Sequence, residues 1–189
     1  MGEQLGNIVL VGFMGSGKST VSQRVARRLK WRLADTDRLV EERAGLGIPD
    51  IFASLGEDGF RGLETEALRS LAGASATVVA TGGGIVLREE NRELLRSLGF
   101  TVWLTASTDT LFERVSRNDT RPLLRSENPR RTLEQLLESR HPLYLDCSDC
   151  VIDSSELSHR AVVNIVIQRA GQYFGVDLQP SARRRSSPG

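Results

Sequence analysis

Short β-rich apolar runs alternate with longer stretches of helical periodicity along this chain, the pattern of a parallel sheet covered by helices. Ile8-Val9-Leu10-Val11 is uninterruptedly apolar and stops at Gly12, as a strand buried on both faces would. From Lys18 to Leu29, apolar Val21, Val25, Ala26 and Leu29 recur at helical spacing. A short second strand over Arg32-Leu33-Ala34 runs into Asp35-Thr36-Asp37, and a helix then passes through Leu39, Val40 and Arg43 to Gly45. Ile48–Leu55 and Glu57–Leu71 read as two further helices, and Ala76–Ala80 as a third strand stopped by Gly82-Gly83-Gly84. A helix over Glu89–Leu98 precedes a fourth strand at Thr101–Leu104, and Thr108–Arg117 is helical again. Asn118–Arg130 is polar with two prolines and reads as a mobile loop. A helix from Arg131 to Leu143, a fifth strand at Cys150-Val151-Ile152 and an amphipathic helix over His159–Phe174 complete the pattern.

The expected fold is therefore one doubly wound α/β domain over residues 1–175: a five-stranded parallel sheet, helices on both faces and a mobile lid. Residues 176–189, rich in Pro, Ser and Arg without periodicity, read as a disordered tail. No internal repeat is visible.

Composition narrows the function classes only a little. At 189 residues the chain suits a single domain with a sizeable core. Its net charge of +1, from 25 basic and 24 acidic residues, gives no reason to expect nucleic acid or an anionic membrane as partner. No apolar run nears the ~20 residues that cross a bilayer, and Met1–Gly6 has neither the basic start nor the apolar stretch of a signal peptide. A cytoplasmic location is the expectation. Cys147 and Cys150 form a lone Cys-x-x-Cys, and His141 and His159 are the only histidines. A closed zinc site needs about four ligands, so the two cysteines read as small residues at the entrance to a strand.

Gly12-Phe13-Met14-Gly15-Ser16-Gly17-Lys18-Ser19-Thr20 changes the picture most. It fits G-x-x-x-x-G-K-S/T after a strand and before a helix, the context a phosphate-binding loop requires. The amides of Gly15, Ser16, Gly17 and Thr20 belong to that cradle, and the helix start adds a positive dipole end. Lys18 is placed for the β- and γ-phosphates of ATP, and the Ser19 hydroxyl for Mg²⁺. Chain length favours a small-molecule kinase over a motor, and no guanine-reading N-K-x-D is found.

Four further patterns bear on the acceptor. Asp35 and Asp37 stand at the carboxyl end of the second strand, where open α/β sheets bind ligands. One of these carboxylates suits Mg²⁺ and one an acceptor hydroxyl, although either also suits a helix cap. Arg61 and Glu64 are spaced i, i+3, which taken alone is a surface ion pair. Gly82-Gly83-Gly84 lets backbone amides approach a substrate closely, or makes a tight turn. Arg121 in the lid suits charge neutralisation during transfer, and Arg140 a bidentate carboxylate grip.

In order and spacing these motifs resemble the shikimate kinase family, over roughly Asn7 to Phe174. The matching stretches are the phosphate loop, Asp-Thr-Asp, Ile48–Phe52 with Gly56–Glu64, the triple glycine, and the pair Arg121-Pro122-Leu123-Leu124 and Arg140-His141-Pro142-Leu143-Tyr144. The resemblance implies transfer of the γ-phosphate of ATP to the shikimate 3-hydroxyl, with Mg²⁺, by a monomer. It implies Ser19 on Mg²⁺ with Asp35 behind it through water, and Asp37 as base or orienter of the hydroxyl. Arg61, Arg140 and the Gly83 amide would hold shikimate, Arg121 would close over ATP, and Arg114 would lie at the adenine. The loop Asp153–Ser158 lacks the proline common in the family, and the Cys-Ser-Asp-Cys segment and basic tail are not family features. A gluconate kinase would share the phosphate loop but lack the triple glycine and F-R-x-x-E. A non-catalytic nucleotide-binding homologue would have lost Lys18, Asp37, Arg61 or Arg140, and all four are present.

Overall fold

The computed structural model describes residues 5–117 and 127–178. Five parallel strands form the sheet: β1 (Asn7–Val11), β2 (Arg32–Asp35), β3 (Thr77–Ala80), β4 (Gly99–Thr105) and β5 (Cys150–Asp153), in spatial order β2-β3-β1-β4-β5. Seven α-helices connect and cover them among the described residues: α1 (Lys18–Leu29), α2 (Thr36–Ala44), α3 (Ile48–Ser70), α4 (Glu89–Leu98), α5 (Thr108–Ser116), α6 (Pro129–Asp146) and α7 (His159–Phe174). Alternate residues of the central strand point to opposite faces, as the two-residue period of a strand demands. Ile8 and Leu10 pack with Val21, Val25, Val162 and Val166 under α1 and α7. Val9 and Val11 pack with Leu68, Leu95, Trp103 and Tyr144 under α3, α4 and α6. That two-sided burial explains the continuous apolar run of β1.

Most boundaries fall where the pattern predicts, and the differences have local causes. The two helices expected over 48–71 are both present within α3, separated as expected at Gly56, whose φ of 67° and ψ of −174° are not helical. Strand β4 extends beyond Thr101–Leu104 at both ends, pairing Gly99 with Asn7 and Thr105 with Asp153. Helix α6 runs through Pro142 to Asp146 rather than stopping at Leu143. The packing of Tyr144 and Cys147 in the core holds that last turn, although the proline ring removes one helical donor. At the far end, the Val176 amide bonds the Gly171 carbonyl at 3.0 Å and Leu178 packs on the α1/α7 core. The described chain thus stays docked three residues beyond the expected boundary at residue 175. The lid with Arg121, and the tail from residue 179, lie outside the described residues.

Candidate active site

The phosphate loop is built from β1 outward. Gly12 leaves the strand with φ 146°, and a Cβ there would stand 2.3 Å from the Leu104 carbonyl oxygen, so only glycine lets the loop cross β4. Helices α2, α5, α6 and α7 carry side-chain caps from Asp35, Ser107, Asn128 and Ser158, whereas Gly17 at the head of α1 supplies none. The first-turn amides of α1 are left for an anion. The Lys18 ammonium curls back to donate to the carbonyls of Gly12 at 2.7 Å and Phe13 at 2.9 Å, which fixes it inside the loop. The Ser16 hydroxyl is buried there without a hydrogen-bond partner among the described residues. Arg114 donates from α5 to the Gly15 carbonyl at 3.3 Å and to the Ser154 carbonyl at 3.5 Å, tying the loop to the segment after β5.

A cleft of about 280 Å³ runs from this loop to Asp37 and the triple glycine, lined by Met14, Gly15, Gly17, Lys18, Ser19, Thr20, Asp37, Thr81, Gly82 and Gly83. Asp35 ends β2 and caps α2, its Oδ1 accepting from the amides of Asp37 at 3.0 Å and Arg38 at 3.4 Å. The cap turns Asp37 inward. Burial, and then the neighbouring Asp35 charge, raise the Asp37 carboxyl above its ordinary pKa, with Lys18 pulling the other way.

The triple glycine is a crowding requirement. A Cβ on Gly82 would stand 2.5 Å from Asp37 Oδ1 and 3.1 Å from Glu64 Oε1, and one on Gly84 2.4 Å from Arg61 Nη1. The Gly82 amide, expected to be open to substrate, instead donates to the buried Thr36 hydroxyl at 3.1 Å. The Gly83 carbonyl accepts from Tyr144 at 2.6 Å and from Arg140 Nη1 at 3.5 Å.

The surface ion pair that Arg61 and Glu64 suggest in isolation is corrected here: Glu64 is 1% exposed. Arg61 Nη1 meets Glu64 Oε2 at 2.7 Å, and Arg61 Nη2 meets Glu57 Oε1 at 2.9 Å. Burial raises the Glu64 carboxyl above its usual range even though Arg61 opposes it. Arg140 faces the same corner from α6, its guanidinium 5.5 Å from the Phe13 ring centroid. It makes no salt bridge among the described residues, and its Nε is buried without an acceptor. A half-buried guanidinium with an unpartnered Nε is suited to an anionic ligand.

Glu64, Thr36, Phe13 and Tyr144 were not singled out by sequence as site residues. Burial pushes the Tyr144 phenol far above its ordinary pKa, so it stays a proton donor to Gly83. Tyr144→Phe should cost about 1 kcal/mol of stability through that lost bond, measurable by urea unfolding; an unchanged midpoint and slope would contradict it. Burial pushes the Cys147 thiol up to about 11, and no group of three or more His, Cys, Asp or Glu among the described residues could hold a metal.

A family model described as shikimate kinase matches residues 14–170. A shikimate kinase of Geobacter sulfurreducens is 50% identical over 157 residues, covering 83% of this chain and 86% of its own. The structure of a shikimate kinase from Acinetobacter baumannii in complex with shikimate superposes with a TM-score of 0.82 at 39% identity, over 88% of this chain and 93% of that one. A gluconokinase of Sinorhizobium meliloti shares the fold at a TM-score of 0.59 and 19% identity, with 90% of this chain and 94% of that one covered. Among the described residues no helix is long and apolar enough to cross a membrane. The crowded triple glycine, the buried Arg61–Glu64 pair and the open Arg140 donor thus occur in a chain that belongs to the shikimate kinase family.

Proposed function

We propose that this chain transfers the γ-phosphate of MgATP to the 3-hydroxyl of shikimate. The observation that carries the reading is the convergence of Asp37, Arg61 and Arg140 on the triple glycine, one cleft away from Lys18. Shikimate offers one carboxylate and three hydroxyls, which suits two guanidinium groups and one carboxylate base. Arg140, with its unpartnered Nε, and Arg61, held by Glu57 and Glu64, would grip the carboxylate. The rigid corner formed by Gly82, Gly83 and Gly84 would fix the ring.

Lys18 would exchange its carbonyl partners for the β- and γ-phosphate oxygens, and the amides at the head of α1 would complete the cradle. The Ser16 hydroxyl, without a partner among the described residues, would be a further donor there. Mg²⁺ fits this donor set: Ser19 would hold it, and Asp35, with one oxygen spent on the α2 cap, would support it through water. Bound there, the ion would neutralise charge on the phosphates. Asp37 would take the proton as the shikimate oxygen–phosphorus bond forms and the bond to the β–γ bridging oxygen breaks, with ADP leaving. Its raised pKa brings it closer to the strength such a base needs. Arg121 would close over the phosphates and help exclude water, and Arg114 would border the base.

ADP release from MgATP, measured with shikimate, with gluconate and with no acceptor, tests the assignment. Release dependent on shikimate is expected; release with gluconate alone would overturn it. Gly84→Ala should raise the shikimate KM roughly tenfold, since the new methyl displaces a guanidinium pinned by two carboxylates. Steady-state kinetics with ATP as the control substrate measures this, and an equal rise in the ATP KM would contradict it.

A further inference from the structure

A cavity of about 440 Å³ lies between the carboxyl end of β4 and α6, outside the cleft that joins Lys18 to Asp37. Its volume falls within the ~300–1,000 Å³ typical of small-molecule sites. Phe13, Trp103, Leu137 and Tyr144 form apolar walls. Trp103 stacks on Tyr144 with ring centroids 5.4 Å apart, and the His141 ring meets it edge-on at 4.9 Å. Trp103 and Tyr144 are buried and locked by the core, so the aromatic wall is formed before any ligand arrives.

The rim is acidic. Glu134 and Glu138 lie one turn apart on α6, and no lysine or arginine lines the cavity among the described residues. Glu134 is paired with Arg130 at 3.1 Å, whereas Glu138 makes no salt bridge among the described residues. An aromatic wall under an unpaired carboxylate selects a flat apolar body that carries a cation. An anion would meet repulsion at this rim, where no lysine or arginine among the described residues lines the cavity. We propose that the cavity binds a small primary aromatic amine, its ring against Trp103 and Phe13 and its ammonium on Glu138.

Calorimetric titration of the full chain with 2-phenylethylamine tests this. A Kd of about 0.1–1 mM is expected for a ligand of this size, unchanged when ADP and shikimate occupy the catalytic cleft. Leu137→Trp, which fills the cavity, should abolish binding while the melting temperature shows the chain folded. Glu138→Gln should weaken the amine roughly three- to fivefold and leave a neutral probe, benzyl alcohol, unaffected. Absence of saturable binding up to about 10 mM, displacement by ADP or shikimate, or equal loss of both probes in Glu138→Gln would overturn the proposal.

Discussion

Asp37→Asn is expected to lower kcat by about 100- to 10,000-fold, the range that loss of a positioned general base produces, while ADP affinity changes by less than about twofold. The two readouts separate because Asp37 faces the acceptor side of the cleft. The groups for the phosphates are Lys18, which bonds the carbonyls of Gly12 and Phe13, and the head of α1. Asparagine also keeps the shape that Gly82 accommodates, where the carboxylate oxygen already sits 2.5 Å from the place a Cβ would take. Parent-like turnover in this variant would remove Asp37 from the chemistry.

The same substitution should move stability the opposite way. The folded-state pKa of Asp37 is raised above 3.8 by burial and by Asp35. The fold therefore favours the protonated carboxyl, whose stabilising contribution is complete below pH 3.8 and lost as pH rises through the folded pKa. Near neutral pH the ionised group is a cost, and asparagine removes it. The variant should melt at a higher temperature than the parent near neutral pH, with the advantage shrinking on titration toward pH 3.8. Differential scanning calorimetry across that window measures it. A variant that loses activity and stability together would indicate a structural role for the residue.

The parts of this protein that sequence makes legible are those where one local rule decides the outcome. The run Ile8–Val11 followed by Gly12 admits a buried strand and a loop, and both are present. The Gly56 break within α3 was foreseeable because a glycine separates two helical registers. What stayed hidden depends on burial set by distant segments. Arg61 and Glu64 have the spacing of a solvent-facing pair, and only the approach of Asp37 from the first turn of α2 and of Gly82 from the loop after β3 makes Glu64 a buried site residue. Apolar Phe60, Ala67 and Leu68 around it were the available signal that this helix face is internal. Thr36 carries no signal of its own between the two aspartates, yet its hydroxyl accepts from the Gly82 amide across 46 residues of sequence. Tyr144 lies beyond a proline, where a helix is expected to stop, and its contact with Gly83 requires the helix to continue.

The Gly83 corner also sets the expectation for Arg140. Arg140→Ala should raise the shikimate KM by roughly 30-fold or more, the effect of about 2–5 kcal/mol for removing the guanidinium from the hydrogen-bonded charge pair it would form with the bound carboxylate. The ATP KM should change by less than about threefold, because phosphate contacts are made elsewhere. Geometry explains why charge alone would not restore function. Arg140 bonds the Gly83 carbonyl through Nη1, stands over Phe13, and leaves Nε open in a buried position. A guanidinium can keep the carbonyl and present two parallel donors to a carboxylate, whereas an ammonium offers a point charge without that fork. Arg140→Lys should therefore recover only part of the lost affinity, on the order of a few-fold. Full recovery in the lysine variant would reduce Arg140 to a source of positive potential. Equal rises in both KM values would assign it to the architecture of the loop through Phe13, leaving Arg61 as the carboxylate's principal partner.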